Sequence, residues 1–483
     1  MQSAGTAGAA RTLRRYEDLP GPRGLPLVGN SLQLDAPRLH QQMERWCREY
    51  GPIYRLRFGR RRMIVIGEHE TVAAVLRDRP DGFRRTSRLE QIWTEMGLKP
   101  GVFGANGDSW RRQRRMVMAS FDPAHIKSYF ASLCAVGQRL SRRWQDAARE
   151  RRAIDLQADL MRYTVDTIAG LAFGTPVNTL ESNEDIIQNH LDKIFPALWR
   201  RMTAALPTWR LFPSRADREL AQGILAVNAA VDTFIADARE RLRRDPARAK
   251  EPPNLLEAMI VAADEPDSGI DDRLVSGNVL TMLLAGEDTT ANTIAWMIYL
   301  LWRNPEALAN AADEVRRTIA DPMHPKQEEL ARLDYVEACA HETMRLKPVA
   351  PLLGLQALRD TTIGDVRVPA GMMVFSLMRR DSVSDEFVPE ASAFLPERWL
   401  TEGGPRQAAS AAKRISMPFG AGPRICPGRY LALLEMKMAM AMLLGHFDIE
   451  SVTTPYPGEA KEHMSFTMAP VDLRLRLKLR GTA

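Results

Sequence analysis

Apolar residues fill nearly every face of the chain across residues 271–304, and no proline interrupts them. That pattern predicts a buried helix of about 30 residues, ~45 Å long, enough to cross a whole domain. Two acids at its centre, Glu287 and Asp288, argue against a membrane span. Near the C-terminus Leu473, Leu475, Leu477 and Leu479 alternate with Arg474, Arg476, Lys478 and Arg480. A period of two predicts a strand with one wet face. Residues 53–58 and 63–66 flank Gly-Arg-Arg-Arg and predict an antiparallel hairpin. Residues 36–50, 68–77, most of 123–245, 305–347 and 429–444 carry helical periodicity. The segment 84–107 is irregular and glycine-spotted, 246–254 and 263–270 predict surface loops, and 400–417 predicts a glycine- and alanine-rich loop. The fold class expected is mainly α with small β-sheets. Residues 1–18 are expected to be disordered, with one domain over 19–483.

Composition narrows the class. The chain has 483 residues, 45% of them hydrophobic, and a net charge of +6. That charge is modest for the size and does not call for nucleic acid; a local basic patch for an acidic protein suffices. The four cysteines, Cys47, Cys134, Cys339 and Cys426, form no C-x-x-C and no C-x-x-C-H, which disfavours zinc and covalently attached haem. They fit a reducing compartment. The first residues lack a basic n-region and an apolar core, so neither a secretory signal nor a membrane anchor is expected. A cytoplasmic monomer is the expectation.

Two stretches carry candidate chemistry. Residues 418–428, Pro-Phe-Gly-Ala-Gly-Pro-Arg-Ile-Cys-Pro-Gly, put Cys426 in a tight loop just ahead of a helix. A helix N-terminus favours a thiolate. Gly422 and Gly428 permit sharp turns or close approach, and Arg424 is placed to meet an anion. A lone thiolate in such a loop suits an axial ligand of haem iron. The second stretch is Ala-Gly-Glu-Asp-Thr-Thr, residues 285–290, in the middle of the long apolar helix. Buried acids and hydroxyls are costly unless used. Ala285 and Gly286 leave room beside the helix, Thr289 can hold a water, and Asp288 can relay protons. Glu287 is the lesser candidate relay.

The pattern F-x-x-G-x-R-x-C-x-G, matched by Phe419, Gly422, Arg424, Cys426 and Gly428, resembles the haem-binding loop of the cytochrome P450 family. The A-G-x-D/E-T-T stretch is similar to that family's oxygen-activation site. Trp110 and Arg114 match its W-x-x-x-R, which implies hydrogen bonds to a haem propionate. Glu342 and Arg345, with Arg398 in Phe-Leu-Pro-Glu-Arg-Trp, match its E-x-x-R element and imply a buried, structural ionic triad. The resemblance covers residues from about 19 to the C-terminus. It implies haem b held between the central helix and the cysteine-loop helix, with Cys426 on the iron and Ala285 lining the oxygen side. It departs at Leu355, where many members carry a propionate-binding arginine; Arg359 is a possible substitute.

The function implied is a haem-thiolate monooxygenase inserting one oxygen atom from O2 into a hydrophobic small molecule. Electrons from NAD(P)H are expected through a separate ferredoxin or flavodoxin-type partner and its reductase, because little chain follows Cys426. Arg111, Arg112 and Arg115 are expected to face that donor, and Arg200, Arg201 and Arg210 to be solvated. Substrate-pocket candidates are Trp93, Val102, Phe103, Phe195 and Trp199, together with Met282, Ala350, Leu352 and Phe466. The absent anchor resembles soluble bacterial members. Competing readings are a peroxide-driven or isomerising haem-thiolate enzyme, disfavoured by the acid–threonine pair, and a haem sensor without turnover, for which a proton relay has no use.

Overall fold

A computed structural model describes residues 13–121, 127, 129–174, 178–181, 191–204, 206–400 and 406–481. The central helix runs Asp272–Arg303, 32 residues, and the Asp271 side chain caps it by accepting from Leu274 N at 2.8 Å. From Val275 to Leu301 every residue is buried except Ala285, Gly286, Asp288 and Thr289. The helix packs along Leu156–Phe173 and against Arg215–Arg244, Asp334–Leu346 and Arg429–His446. Gly101 and Gly277 let the 97–107 segment lie directly on it; a Cβ at either would collide with the other strand of chain.

Two hydrophobic cores divide the helix between them. Val275 and Val279–Leu284 belong to one, and Ala291 with Ile294–Leu301 belongs to the other. The stretch 285–289, uncovered except at Glu287, therefore sits at the seam. The helix Arg429–His446 straddles the same seam, with Leu431 in the first core and Met436 to Leu444 in the second.

The largest sheet has the order Ile53–Phe58, Arg61–Ile66, Met373–Leu377, Leu352–Ala357, Phe83–Arg85. The first two strands form the expected hairpin, Ile53 opposite Ile66. Arg61–Ile66 runs parallel to Met373–Leu377. Arg474–Leu479 pairs with Phe447–Thr453 and Ile154–Asp155, burying Leu475 and Leu477 as the alternation requires. Glu462–Ser465 and Thr467–Pro470 form a C-terminal hairpin turning at Phe466 (φ 89°).

Three expectations need correction. The segment 84–107 contains a helix, Ser87–Glu95, capped by Thr86 Oγ1 at 3.3 Å from Leu89 N. Residues 406–415 are also helical, because their glycine-free, alanine-rich run favours helix over loop. Residues 13–18 are ordered: Arg14 pairs with Asp365 at 2.7 Å and the Tyr16 hydroxyl donates to Leu56 O at 2.7 Å. Residues 1–12 lie outside the described residues. The helix Arg215–Arg244 is long and apolar enough in composition to cross a membrane. Its buried positions Leu220, Ile224, Val227, Val231 and Ile235 recur at helical spacing, so it covers the core with one stripe.

Candidate active site

The cysteine loop is closed by its own backbone. Cys426 N donates to Phe419 O at 2.9 Å, and Gly420 and Gly422 take φ of 76° and 71°. Gly422 is required by packing as well. A Cβ there would lie 2.8 Å from Arg77 Cα and Leu76 O, so the loop rests on the helix His69–Arg77. Gly428 caps Arg429–His446, and a Cβ there would meet only the Phe121 ring. No residue from 416 to 430 is fully buried, although the loop is inside the fold. Burial pushes the Cys426 thiol up, against the Gly428 N–H and the charges of Arg114 and Arg429. The helix-end effect expected to favour the thiolate is thus outweighed by desolvation in the bare protein; a bound cation reverses that balance.

Arginines crowd the loop. Arg114 Nη2 donates to Ile425 O at 2.7 Å, and the Arg424 guanidinium lies 4.8 Å from the Trp110 ring centre. Arg424 also donates to Ala105 O. Arg85, unremarked in the sequence, sits 4.1 Å over the Phe103 ring. On the sheet it lies directly opposite Leu355, the position where an arginine was missing. Arg359 is committed elsewhere, to Asp78 at 2.8 Å. Nε of Arg79, Arg85 and Arg424 is buried with no hydrogen-bond partner among the described residues. Burial, then mutual repulsion, lowers the pKa of Arg79 to about 8, and of Arg85 and Arg424 to about 9. Arginines keep their protons, so the strain persists as an uncompensated positive field. A flat group carrying two carboxylates, with its metal on the Cys426 sulfur, fits these donors.

Across the seam, Ala285 is exposed and Thr289 half-buried, four residues apart on one face. The Thr289 hydroxyl donates to Ala285 O at 2.7 Å, and the helix continues through it. Gly286 faces Ile168, where a Cβ would come within 3.2 Å of Cγ1. Asp288 Oδ1 accepts from Asn292 Nδ2 at 2.9 Å, and Oδ2 accepts from the Thr467 hydroxyl. Burial raises its pKa despite both bonds. Glu287 is buried, and burial with the nearby charges of Asp288 and Asp192 raises its pKa well above the ordinary value. On the next turn of chemistry outward, Thr290 hydrogen-bonds Glu435, whose pKa burial lifts to about 8.

The E-x-x-R group is assembled as expected and is larger than three residues. Glu342 accepts from Arg345 Nη2 at 2.7 Å, Arg398 Nε at 3.2 Å, Trp399 Nε1 at 2.9 Å and Leu395 N at 3.0 Å. Arg345 and Arg398 spend their remaining donors on carbonyls of Ser382, Ala391, Ala393, Pro389 and Glu390. The hub pins the 382–399 meander. Trp399 and His341, stacked at 5.0 Å, share a groove of about 780 Å³ with Phe419, Ile425 and Arg429 of the cysteine loop.

Four pocket candidates meet. Trp93 and Phe103 are 6.3 Å apart, Phe103 and Phe466 6.0 Å, and Phe466 stacks on Phe195 at 4.7 Å. Val102 N donates to Asn278 Oδ1 at 2.9 Å, which ties the segment to the central helix that also carries buried Met282. Ala350 is exposed and Leu352 is buried at a strand start. Trp199 is not in the ring chain; it is buried, with Nε1 donating to Ala36 O at 3.2 Å. The arginines expected to be solvated are ion-paired: Arg200 and Arg201 with Asp217, Arg210 with Glu95. Arg111 and Arg115 are exposed, Arg111 paired with Asp81 and Asp108, and Arg112 is half-buried. Arg79, Asn292, Glu435 and Thr467 carry no motif that sequence reading could use; Trp399 closes the Phe-Leu-Pro-Glu-Arg-Trp stretch, which pointed only to Arg398.

Comparison with known proteins agrees with this geometry. The family model described as Cytochrome P450 matches residues 19–477. A chloroplastic carotene epsilon-monooxygenase of Arabidopsis thaliana is 27% identical, over 89% of this chain and 81% of its own. A bifunctional cytochrome P450/NADPH–P450 reductase of Bacillus subtilis (strain 168) is 27% identical, over 98% of this chain and 43% of its own. A self-sufficient cytochrome P450 monooxygenase of Oidiodendron maius (strain Zn) is 28% identical, over 96% and 42%. The chain spans less than half the length of these last two. The set is wider than the soluble bacterial members expected. With the cysteine loop, the notched central helix and the E-x-x-R hub all in the fold, the chain belongs to the cytochrome P450 family.

Proposed function

We propose that the protein is a haem-thiolate monooxygenase acting on a hydrophobic small molecule. The balanced reaction is RH + O2 + NAD(P)H + H⁺ → ROH + NAD(P)⁺ + H2O. The observation that carries it is the seam: a cysteine loop and an acid–threonine notch, both left uncovered between two packed cores. Haem b would be held by Cys426 on the iron, with Arg85 and Arg424 for its carboxylates and Arg114 and Trp110 bracing the loop. When bound, the haem supplies dioxygen activation, and the thiolate favours O–O cleavage. The chain's own residues do the rest. Ala285 leaves space beside the helix, and the Thr289 hydroxyl can turn from Ala285 O to hold a water. Asp288 carries the proton to that side of the helix. The rings of Trp93, Phe103, Phe195 and Phe466 offer an apolar wall for substrate and exclude water from it.

Electrons come from NAD(P)H through a flavin or iron–sulfur protein. The groove between the E-x-x-R hub and the outer face of the cysteine loop supports docking there. One of the relatives named above carries a reductase in its name and another is called self-sufficient, so the donor is either such a reductase or a separate ferredoxin or flavodoxin. Reconstitution with each donor class, NADPH and a panel of lauric acid, β-ionone and naphthalene tests the reading. Product that requires donor, NADPH and O2 supports it; spectral binding with no turnover under any donor favours a sensor. The ligand assignment has its own test. Cys426→Ser is expected to abolish the thiolate-type spectrum of the ferrous carbonyl complex, and an unchanged spectrum rejects it.

A further inference from the structure

A second cavity, of about 370 Å³, lies beside the C-terminal hairpin. Its lining comes from the helix Leu156–Phe173, the start of Ile194–Thr203, the central helix and the hairpin. Asp192, His463 and Asp472 are exposed at its rim, while Glu287, Asp288 and Asn292 line its inner side. Glu287 is 2% exposed, and its Oε1 has no hydrogen-bond partner among the described residues. Leaving such a group unsatisfied costs roughly 1–3 kcal/mol. Acids, amides and a histidine stand in its partly apolar wall, and at ~30 Å³ per water it holds about a dozen, so water is the natural partner. A metal is not: among the described residues no group of three or more His, Cys, Asp or Glu could hold one.

Helix geometry places this acid with respect to the notch. Successive side chains turn by roughly 100°. Ala285 and Thr289 share the uncovered face, Glu287 projects from the opposite face, and Asp288 projects from the flank between them. Asp288 is fixed there by Asn292 on its own helix and by Thr467 on the hairpin. The order round the helix is therefore cavity, Glu287, Asp288, Thr289.

We propose that this cavity is the proton intake of the site, with Glu287 as its first buried donor and Thr467 as the residue that positions Asp288. The proposal rests on the monooxygenase reading. Glu287 stands at the variable position of its motif, so the family pattern assigns it no role. A proton passes from Glu287 to a cavity water, and that water passes one to the Asp288 carboxylate. Asp288 releases it toward the Thr289 side, and Glu287 regains a proton from bulk through the cavity. One proton moves inward per relay, both acids return to their starting state, and no electron moves. The groups facing Glu287 suit a donor: burial, with the acidic Asp288 on its own helix and Asp192 beside Ile194–Thr203, pushes its carboxyl well above the ordinary range.

The test uses the haem-loaded protein. In the resting ferric state, infrared difference spectra between H2O and D2O should show a protonated carboxyl band that Glu287→Gln removes, with the melting temperature unchanged. In turnover with NADPH, a reductase and whichever of lauric acid, β-ionone or naphthalene is oxidised, Glu287→Gln should lower product per NADPH by ~5-fold or more and raise the solvent isotope effect. Ser465→Leu, which fills the cavity, should do the same with the carboxyl band intact. Thr467→Val should lower coupling and Thr467→Ser restore it, a split that a packing role would not give. Carboxyl bands left unchanged by Glu287→Gln, with none lost beside that of Glu435, or wild-type coupling in both Glu287→Gln and Thr467→Val, overturn the proposal alone. A wild-type enzyme that forms no product sinks the monooxygenase reading and the proposal with it.

Discussion

Thr289 and Glu435 show how single side chains on either side of the central helix are set by local physics. The Thr289 hydroxyl has a ready acceptor in Ala285 O, a bond any mid-helix threonine can make. Its position on the one uncovered face distinguishes it from Thr293, which bonds back to Thr289 O in the same way but is buried. Replacing Thr289 by alanine should divert electrons to hydrogen peroxide, with product per NAD(P)H falling ~10-fold or more. Full coupling in that variant would remove its proposed role. Burial pushes the Glu435 carboxyl, which bonds Thr290, up to about 8. A raised carboxyl pKa means the folded state binds the extra proton, so stability falls as pH rises from about 4.5 to about 8. Glu435→Gln should flatten that part of the profile and gain on the order of 4 kcal/mol at pH 9, read from denaturant midpoints across pH. A slope unchanged by the substitution contradicts the assignment.

Elements were legible where one pattern ran long. The proline-free apolar run gave the central helix nearly to its ends, since Asp271 caps one side and Asn304 stops the other. The strict alternation at Leu473 to Leu479 gave the strand and its buried face. Shorter elements are less legible: Ser87–Glu95 is amphipathic over only two turns, and its Thr86 cap stands among glycines that point to a loop. The helix at 406–415 lay behind a glycine pair that read as loop. The E-x-x-R pair was visible, but its load was not. Glu342 answers four donors, and the remaining bonds of Arg345 and Arg398 run to carbonyls of the meander. Removing its charge leaves Arg345 and Arg398 buried and uncompensated. Glu342→Gln should therefore cost ~3–5 kcal/mol and release haem at lower denaturant than global unfolding, seen as Soret loss ahead of far-UV change. Coincident transitions would mean the hub does not hold the cysteine loop in particular.

At the scale of the whole molecule, one buried charge network ties distant segments to the C-terminal hairpin. Glu462 accepts from His40 at 2.7 Å, Lys347 at 2.6 Å and Arg379 at 2.8 Å, and Arg379 also reaches Glu44 at 2.8 Å. The hairpin so anchored carries Phe466 into the aromatic wall and Thr467 onto Asp288. Those partners hold the Glu462 carboxyl far below its usual range, against burial. A depressed carboxylate stabilises the fold fully above its unfolded pKa of about 4.3 and loses that contribution as pH falls further. Acid unfolding should accordingly begin below about pH 4.3, and Glu462→Gln should cost ~3 kcal/mol at pH 7 with a shallower acid limb. Equal acid limbs in the two proteins would show that another group controls the transition.

By itself the sequence determined the class: one cysteine in a glycine-punctuated loop, one polar notch in an apolar helix, and an E-x-x-R pair are local patterns whose chemistry is written in adjacent residues. Only the tertiary structure decided the rest. Arg85 lies opposite Leu355, where an arginine was expected, because a sheet register pairs two residues 270 apart in the chain's numbering. Thr467 finds Asp288 across 179 positions, and Glu287 gains an orphaned oxygen only because the packing around it encloses a cavity. Such pairings depend on which surfaces meet when two cores close around one helix, and no local periodicity encodes that.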